Sequence, residues 1–188
     1  MFDDRKFHII PSVREMRKLD QALKYTDQWV LLTCAHIGNL QKLSQYCHQA
    51  GKKVIINPEL VGGLGNDRMA FALMKKMFGV DGVMSGSNTK LLMAKKEGMY
   101  TIRRVALEDS LAVDQVLSTM KETKSDVIEL RPAYYALRYL NVFKEKRNCP
   151  YIAGGFVDST EMLEQLNRAG FTGVTTSDSD LWKLRAHF

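Results

Sequence analysis

Short β-branched and aromatic runs recur through the 188-residue chain with amphipathic segments between them, and this pattern predicts an α/β fold, a compact (β/α)8 TIM-type barrel. Three observations carry the prediction. Eight candidate strands recur at a spacing of roughly 20 to 27 residues. Helical periodicity fills the intervals, and strands alternating with helices imply parallel strands joined by crossovers. Several joints repeat one device, a glycine just after the helix and just before the strand, where it can take a left-handed cap at low cost and turn the chain into the sheet. The chain is shorter than the usual barrel of about 200 residues or more, so loops must be short; a seven-stranded or partly open barrel is the alternative.

The elements follow in order. The first strand, Phe7–Val13, precedes "REMRKLDQALKY", in which Met16, Leu19 and Leu23 share one helical face. The second, Trp29–Ala35, leads to a helix closed by Gly51 in "QAGKKVII", and the third is Lys53–Asn57. The fourth, Gly79–Ser85, begins on the glycine of "MFGVDGVM", and Gly98 in "KEGMYTI" introduces the fifth, Tyr100–Val105. The sixth, Asp126–Arg131, is stopped by Pro132. After the seventh, Tyr151–Gly154, comes "TEMLEQLNRAG", with Met162, Leu163 and Leu166 on one face; Gly170 then introduces the eighth, Gly173–Thr176. No linker or low-complexity tract interrupts this order, so residues 1–188 read as one barrel domain.

Composition narrows the function. The chain is 45% hydrophobic and 26% charged, an ordinary globular balance. It has no stretch of eighteen apolar residues, and its start, "MFDDRKFHII", does not resemble a secretory signal, so no membrane contact and a cytoplasmic location are expected. Cys34, Cys47 and Cys149 are odd in number and lack CxxC spacing, which fits reduced, packing thiols better than a disulfide framework or a zinc site. A net charge of +6 mildly favours phosphate-bearing partners. The basic helix segments at Lys75-Lys76 and Lys144–Arg147 read most simply as solvated outer faces, with RNA contact as the alternative.

In a barrel of this type chemistry sits at the C-terminal ends of the strands. Those ends offer Ser12, Cys34 and His36, Asn57 and Glu59, Ser85 and Ser87, Arg103 and Arg104, Glu129 and Arg131, Gly154-Gly155, and Thr176-Ser177. Phosphate-binding barrels commonly use the loops after strands seven and eight with a short extra helix. There glycine bares the backbone N–H groups and Thr or Ser adds a hydroxyl, so "AGGF" with "TTSDSDLW" reads as a phosphate cup at Gly154, Gly155, Thr176 and Ser177. The plainer reading makes these turn and cap residues, with Ser177 or Asp178 capping the last helix and Asp158 or Ser159 the one before. Asp178 and Asp180 would oppose a phosphate if they faced it.

Three other features stay open. The loop "NPELVGGLGND", Asn57 to Asp67, is a lid or a plain connection. Glu129 and Arg131 share one strand face and form a buried ion pair or meet a ligand. His36 is a structural hydrogen-bonding residue or a base; Cys34 has no neighbouring base in sequence to make it a nucleophile.

The succession "HIGNL", "GKKVIINPELVGGLGND", "ELRP", "AGGFVDSTE" and "VTTSDSDLW" resembles, over nearly the whole chain, the glycerol-3-phosphate-responsive antiterminators of bacterial glycerol-uptake operons. The resemblance implies a compact barrel with no catalytic residue, cofactor or metal. Such a barrel would bind glycerol 3-phosphate or a similar phosphorylated polyol and then the leader mRNA of a glycerol-utilisation operon, preventing termination. It also implies that the cup is Gly154, Gly155, Thr176 and Ser177, with Glu59, His36 and Glu129 near the polyol end. The chain departs from the family pattern at Asn57 and Glu59, where a histidine and an aspartate are typical, at Ala133-Tyr134-Tyr135, where glycine usually follows the proline, and in the looser "SGSNTK".

Two other functions compete. A sugar-phosphate isomerase or lyase could use the same cup with Glu59, Glu129 and His36 as acid and base, although no strand end carries a lysine for a Schiff base and no metal-ligand cluster is evident. A phosphate-ligand sensor could instead meet a protein, since Tyr134, Tyr135 and Tyr139 suit a homodimer contact as well as base stacking.

Overall fold

A computed structural model describes residues 6–187 apart from 27 and 123. Eight parallel strands close in sequence order into a barrel: β1 His8–Val13, β2 Trp29–Leu32, β3 Lys53–Ile56, β4 Gly82–Ser85, β5 Tyr100–Ala106, β6 Val127–Arg131, β7 Tyr151–Gly154 and β8 Gly173–Thr176. The seam is β8 against β1, with His8 opposite Gly173 and Ile10 opposite Thr175, so the seven-stranded and open alternatives are excluded. Seven α-helices cover the outside: α1 Leu19–Tyr25, α2 Leu40–Gln49, α3 Arg68–Lys76, α4 Asn88–Lys96, α5 Ser110–Ser118, α6 Ala133–Lys146 and α7 Thr160–Ala169. After β8 the chain ends in a 3-10 helix, Leu181–His187, in place of an eighth α-helix.

The expected strands Trp29–Ala35 and Gly79–Ser85 are shorter in the structure, as β2 and β4. β2 ends at Leu32, where Thr33 N–H makes the last ladder bond to Val13 O and the Thr33 hydroxyl donates to the same oxygen, both at 3.0 Å. β4 starts at Gly82, after Asp81, whose carboxylate accepts from Val54 N–H at 2.9 Å and meets His48 at 2.8 Å. The glycines expected at four helix ends, Gly51, Gly79, Gly98 and Gly170, all have φ between 69 and 92°. At Gly170 the cap is complete: its N–H donates to Asn167 O and Phe171 N–H donates to Leu166 O.

Alternation along the strands separates two cores. Outward residues such as Val54, Val83, Leu130 and Val174 pack under Leu40, Phe71, Leu91 and Leu163 of the helices. Inward residues Ile10, Trp29, Leu31, Ile55, Met84, Ile102, Val127 and Ile152 fill the barrel. Each such side chain stabilises the fold by about 1.5–3 kcal/mol through burial. The inward plug occupies the lower and middle layers, so the next inward position on each strand faces the open upper end.

Candidate functional site

The inward positions above the plug are polar, and they line a cavity of about 740 Å³ at the C-terminal ends of the strands. Continuing the period-two register upward places Ser12 and Arg14 after Ile10, Thr33 after Leu31, Asn57 after Ile55 and Arg104 after Ile102. On β6 the same register carries Glu129 and Arg131, and on β8 it carries Thr175 and then Ser177.

Glu129 sits at the floor of this cavity with 1% of its surface exposed. Thr175 Oγ1 donates to its Oε1 at 2.5 Å, while Oε2 is buried with no hydrogen-bond partner among the described residues. Burial pushes the Glu129 carboxyl above the usual carboxylate range, against the opposing pull of the Thr175 hydrogen bond and of Arg131 and Arg104. The expected ion pair between Glu129 and Arg131 does not form within 4 Å among the described residues.

Arg104 and Arg131 are both partly buried in the cavity wall, and neither guanidinium donates a hydrogen bond among the described residues. Burial, and then the neighbouring positive charge of Arg131, lowers the pKa of Arg104. Its sequence neighbour Arg103 faces the helix layer, where Nη2 lies 3.4 Å from Thr119 Oγ1. Two cations therefore lie close together in the cavity wall without an ion pair among the described residues, although Asp158 and Asp178 line the same cavity and Glu129 and Glu59 act on Arg104 in the opposite sense to Arg131. That arrangement is costly unless an anionic ligand completes it.

The two glycines after β7 have different tasks. Gly154 is buried and does not line the cavity; a Cβ there would press on Glu129 and on Thr175 Oγ1, so its bareness makes room for their hydrogen bond. Gly155 does line the cavity, has φ 74°, and a Cβ on it would lie 3.1 Å from Arg131 Nη2. Phe156 follows with φ 57° and 70% exposure, stacked on Tyr134 at 6.3 Å between ring centroids.

Thr176 and Ser177 also divide. The Thr176 hydroxyl donates to Val157 O at 2.7 Å and accepts from Asp178 N–H at 3.0 Å, so its oxygen is engaged in shaping the turn. Ser177 is exposed in the cavity wall with no side-chain hydrogen bond. Asp178 does line the cavity, the placement that counts against a phosphate, while its Oδ1 accepts from Asp180 N–H and Leu181 N–H and so caps the closing 3-10 helix. Asp180 lies outside the cavity lining and pairs with Lys183 at 2.6 Å, whose hydrogen bond and charge hold its carboxyl below the usual range. Ser159, the other expected cap, accepts from Met162 N–H at the start of α7.

His36 and Glu59 are not among the cavity-lining residues. His36 is exposed, its Nδ1 accepts from Gly38 N–H, and its backbone bridges to Gly62. Glu59 Oε1 accepts from Ser85 Oγ at 2.6 Å and from Lys90 Nζ at 3.1 Å. The loop from Asn57 to Asp67 is therefore tied down in two places: by Glu59 to the start of α4, and by Ile37 N–H donating to Gly62 O. It reaches the cavity through Asn57 and Leu60. Cys34 is half-buried, and burial raises its thiol pKa, which is the wrong direction for a nucleophile. All three cysteines are free thiols, and no group of three or more potential metal ligands occurs among the described residues.

The sequence placed Arg104 among the strand ends and left Arg131 open between an ion pair and a ligand contact, but neither was put with the glycines and hydroxyls of the cup, and Arg14 was not named. The available signal was the inward register itself, since Arg104 lies two residues past Ile102 and Arg131 two past Glu129.

The comparisons agree with this architecture. A glycerol uptake operon antiterminator regulatory protein from Listeria monocytogenes superposes with a TM-score of 0.88 at 28% identity, over 97% of each chain. A glycerol uptake operon antiterminator-related protein from Thermotoga maritima gives 0.84 at 25% identity, over 95% of this chain and 99% of that one. Among curated sequences the uncharacterized protein YgcP of Escherichia coli is 25% identical over 180 residues, covering 96% of this chain and 94% of that one. An aldolase with a TM-score of 0.70 at 13% identity shares the barrel fold alone. Residues 9–182 match the family of glycerol-3-phosphate responsive antiterminators, and the chain belongs to that family.

Proposed function

We propose that this chain is a transcription antiterminator that binds glycerol 3-phosphate in the barrel mouth and, so loaded, holds the leader mRNA of a glycerol-utilisation operon. One observation carries the reading. The cavity opposes two unpaired guanidiniums, Arg104 and Arg131, to a buried carboxyl whose Oε2 has no partner. A phosphorylated polyol matches both halves: its dianion neutralises the arginines, and a hydroxyl hydrogen-bonds with Glu129.

In this reading the Gly155 backbone and the Ser177 hydroxyl complete the phosphate end, and Gly154 and Thr176 act beneath it by shaping the two turns. His36 and Glu59 hold the walls. Of the positions that depart from the family pattern, Asn57 lines the cavity and Glu59 does not, so Asn57 would meet the polyol end of the effector. Calorimetric titration tests this: glycerol 3-phosphate should bind and glycerol should not. Equal binding of both would contradict the phosphate site.

Glu129 lines the cavity with Oε2 unpartnered among the described residues, and burial holds its carboxyl above the usual range, an environment that also suits a general acid and keeps the sugar-phosphate isomerase or lyase as the second reading. A panel of sugar phosphates distinguishes the two. Turnover that is lost in Glu129→Gln would favour the enzyme, and the antiterminator reading expects none.

A further inference from the structure

The charge of this protein is unevenly placed. The chain has 27 Lys and Arg against 21 Asp and Glu, a net charge of +6. Two adjacent helices, α3 and α4, contain six of the basic residues, Arg68, Lys75, Lys76, Lys90, Lys95 and Lys96, and no acidic ones. The rest of the chain is therefore formally neutral, with 21 of each sign. The other helices carry acids or fewer bases: α7 has Glu161 and Glu164 against Arg168, and α6, the next most basic, sets Glu145 against Arg138, Lys144 and Lys146.

The two helices pack side by side on the outside of the barrel. Arg68, Lys76, Lys95 and Lys96 are exposed, together with Met69, Met77 and Leu92. Neighbouring acids neutralise little of this face. Lys95 is engaged with Asp126 at 2.9 Å, but Lys76 reaches Glu97 only at 3.9 Å, and Arg68, Lys75 and Lys96 have no ion pair among the described residues. The face is also joined to the cavity. The loop that lines the mouth at Asn57 and Leu60 runs directly into α3, and Glu59 in that loop accepts from Lys90 in the first turn of α4.

We propose that this α3–α4 face is the surface on which the RNA sugar-phosphate backbone docks. The proposal rests on the antiterminator reading above and adds where the RNA sits. Clustered, unneutralised lysine and arginine on one face is the footprint of a polyanion partner. Apolar side chains between the cations suit the ribose and base faces of a single-stranded or looped segment.

The test replaces Arg68, Lys75, Lys76 and Lys96 by glutamine and measures binding of a labelled leader transcript of the glycerol-utilisation operon across a salt series, with glycerol 3-phosphate present. A second variant removes the same total charge elsewhere, at the exposed Lys42, Lys121, Lys124 and Lys146. The α3–α4 variant should weaken binding about tenfold or more and lower the slope of log affinity against log salt by about three, because each lost phosphate contact removes about 0.7 from it. The second variant should keep the wild-type slope, and both should keep the wild-type thermal shift with glycerol 3-phosphate, which shows that they are folded. Equal loss in the two variants, or none in the first, overturns the docking surface while wild-type RNA binding leaves the antiterminator reading standing. If the wild-type protein binds no RNA under these conditions, that reading falls and the docking surface falls with it.

Discussion

Arg104→Met should weaken effector binding without weakening the empty protein. In the empty barrel Arg104 is half-buried beside Arg131 and forms no ion pair among the described residues; its charge is opposed first by burial and then by Arg131, and Glu129 and Glu59 offset this only in part. Methionine keeps the length and apolar body of the side chain and removes both penalties. The stability of the empty protein should therefore stay level or rise. With ligand bound, the variant loses a charge-assisted hydrogen bond to phosphate, about 1.5–3 kcal/mol, which corresponds to a Kd about 10- to 150-fold weaker. Calorimetric titration with glycerol 3-phosphate reads the first effect, and urea denaturation of the ligand-free protein reads the second. A Kd within about threefold of wild type, or a loss of more than about 1 kcal/mol in the empty protein, would show that Arg104 holds the barrel together instead of holding a ligand.

Other perturbations separate structure from binding. Gly154→Ala forces a methyl against Glu129 and Thr175 and should cost about 1–3 kcal/mol of stability by overpacking, read as a lower urea midpoint at unchanged m. Gly155→Asp introduces a carboxylate next to Arg131 at a left-handed position; the protein should still fold, but its thermal shift with glycerol 3-phosphate should vanish. Titration should show two opposed limbs. Burial works against it, but Lys95 and Thr101 hold the Asp126 carboxyl below its ordinary value, so its contribution is present above the unfolded pKa and lost as pH falls through the folded one. Glu129 is raised, so its contribution is full below the unfolded pKa and lost as pH rises through the folded one; Glu129→Gln should remove that second limb from the stability profile of the empty protein. Lys90→Met releases Glu59 and should shrink the ratio of RNA affinities with and without effector, whatever Lys90 itself adds to RNA contact.

The strands and their order were readable in the sequence because both signals are local. Two of the expected strands, Tyr151–Gly154 and Gly173–Thr176, match residue for residue, and all four helix-ending glycines take the left-handed conformation they suggest. The position of the site was readable as well, since a barrel puts its open end at the strand C-termini whatever the loops contain. What the individual residues do there was less readable. Gly154 and Gly155 are adjacent and chemically identical, yet one faces the interior beside Glu129 and the other the cavity, a difference set by pleat and turn. Arg103 and Arg104 differ in the same way. Which one faces the ligand follows only after Ile102 is fixed as part of the inward plug. Glu59 sits at a strand end in sequence, but its orientation depends on Ser85 and Lys90, 26 and 31 residues away.

The central claim is that an occupied barrel mouth and a bound leader RNA favour the same state of the protein. Leader RNA affinity measured at fixed salt, with and without saturating glycerol 3-phosphate, tests it most directly. The account predicts tighter RNA binding with the effector and, by reciprocity, an effector affinity raised by the same factor when RNA is bound. An RNA affinity indifferent to glycerol 3-phosphate would contradict it.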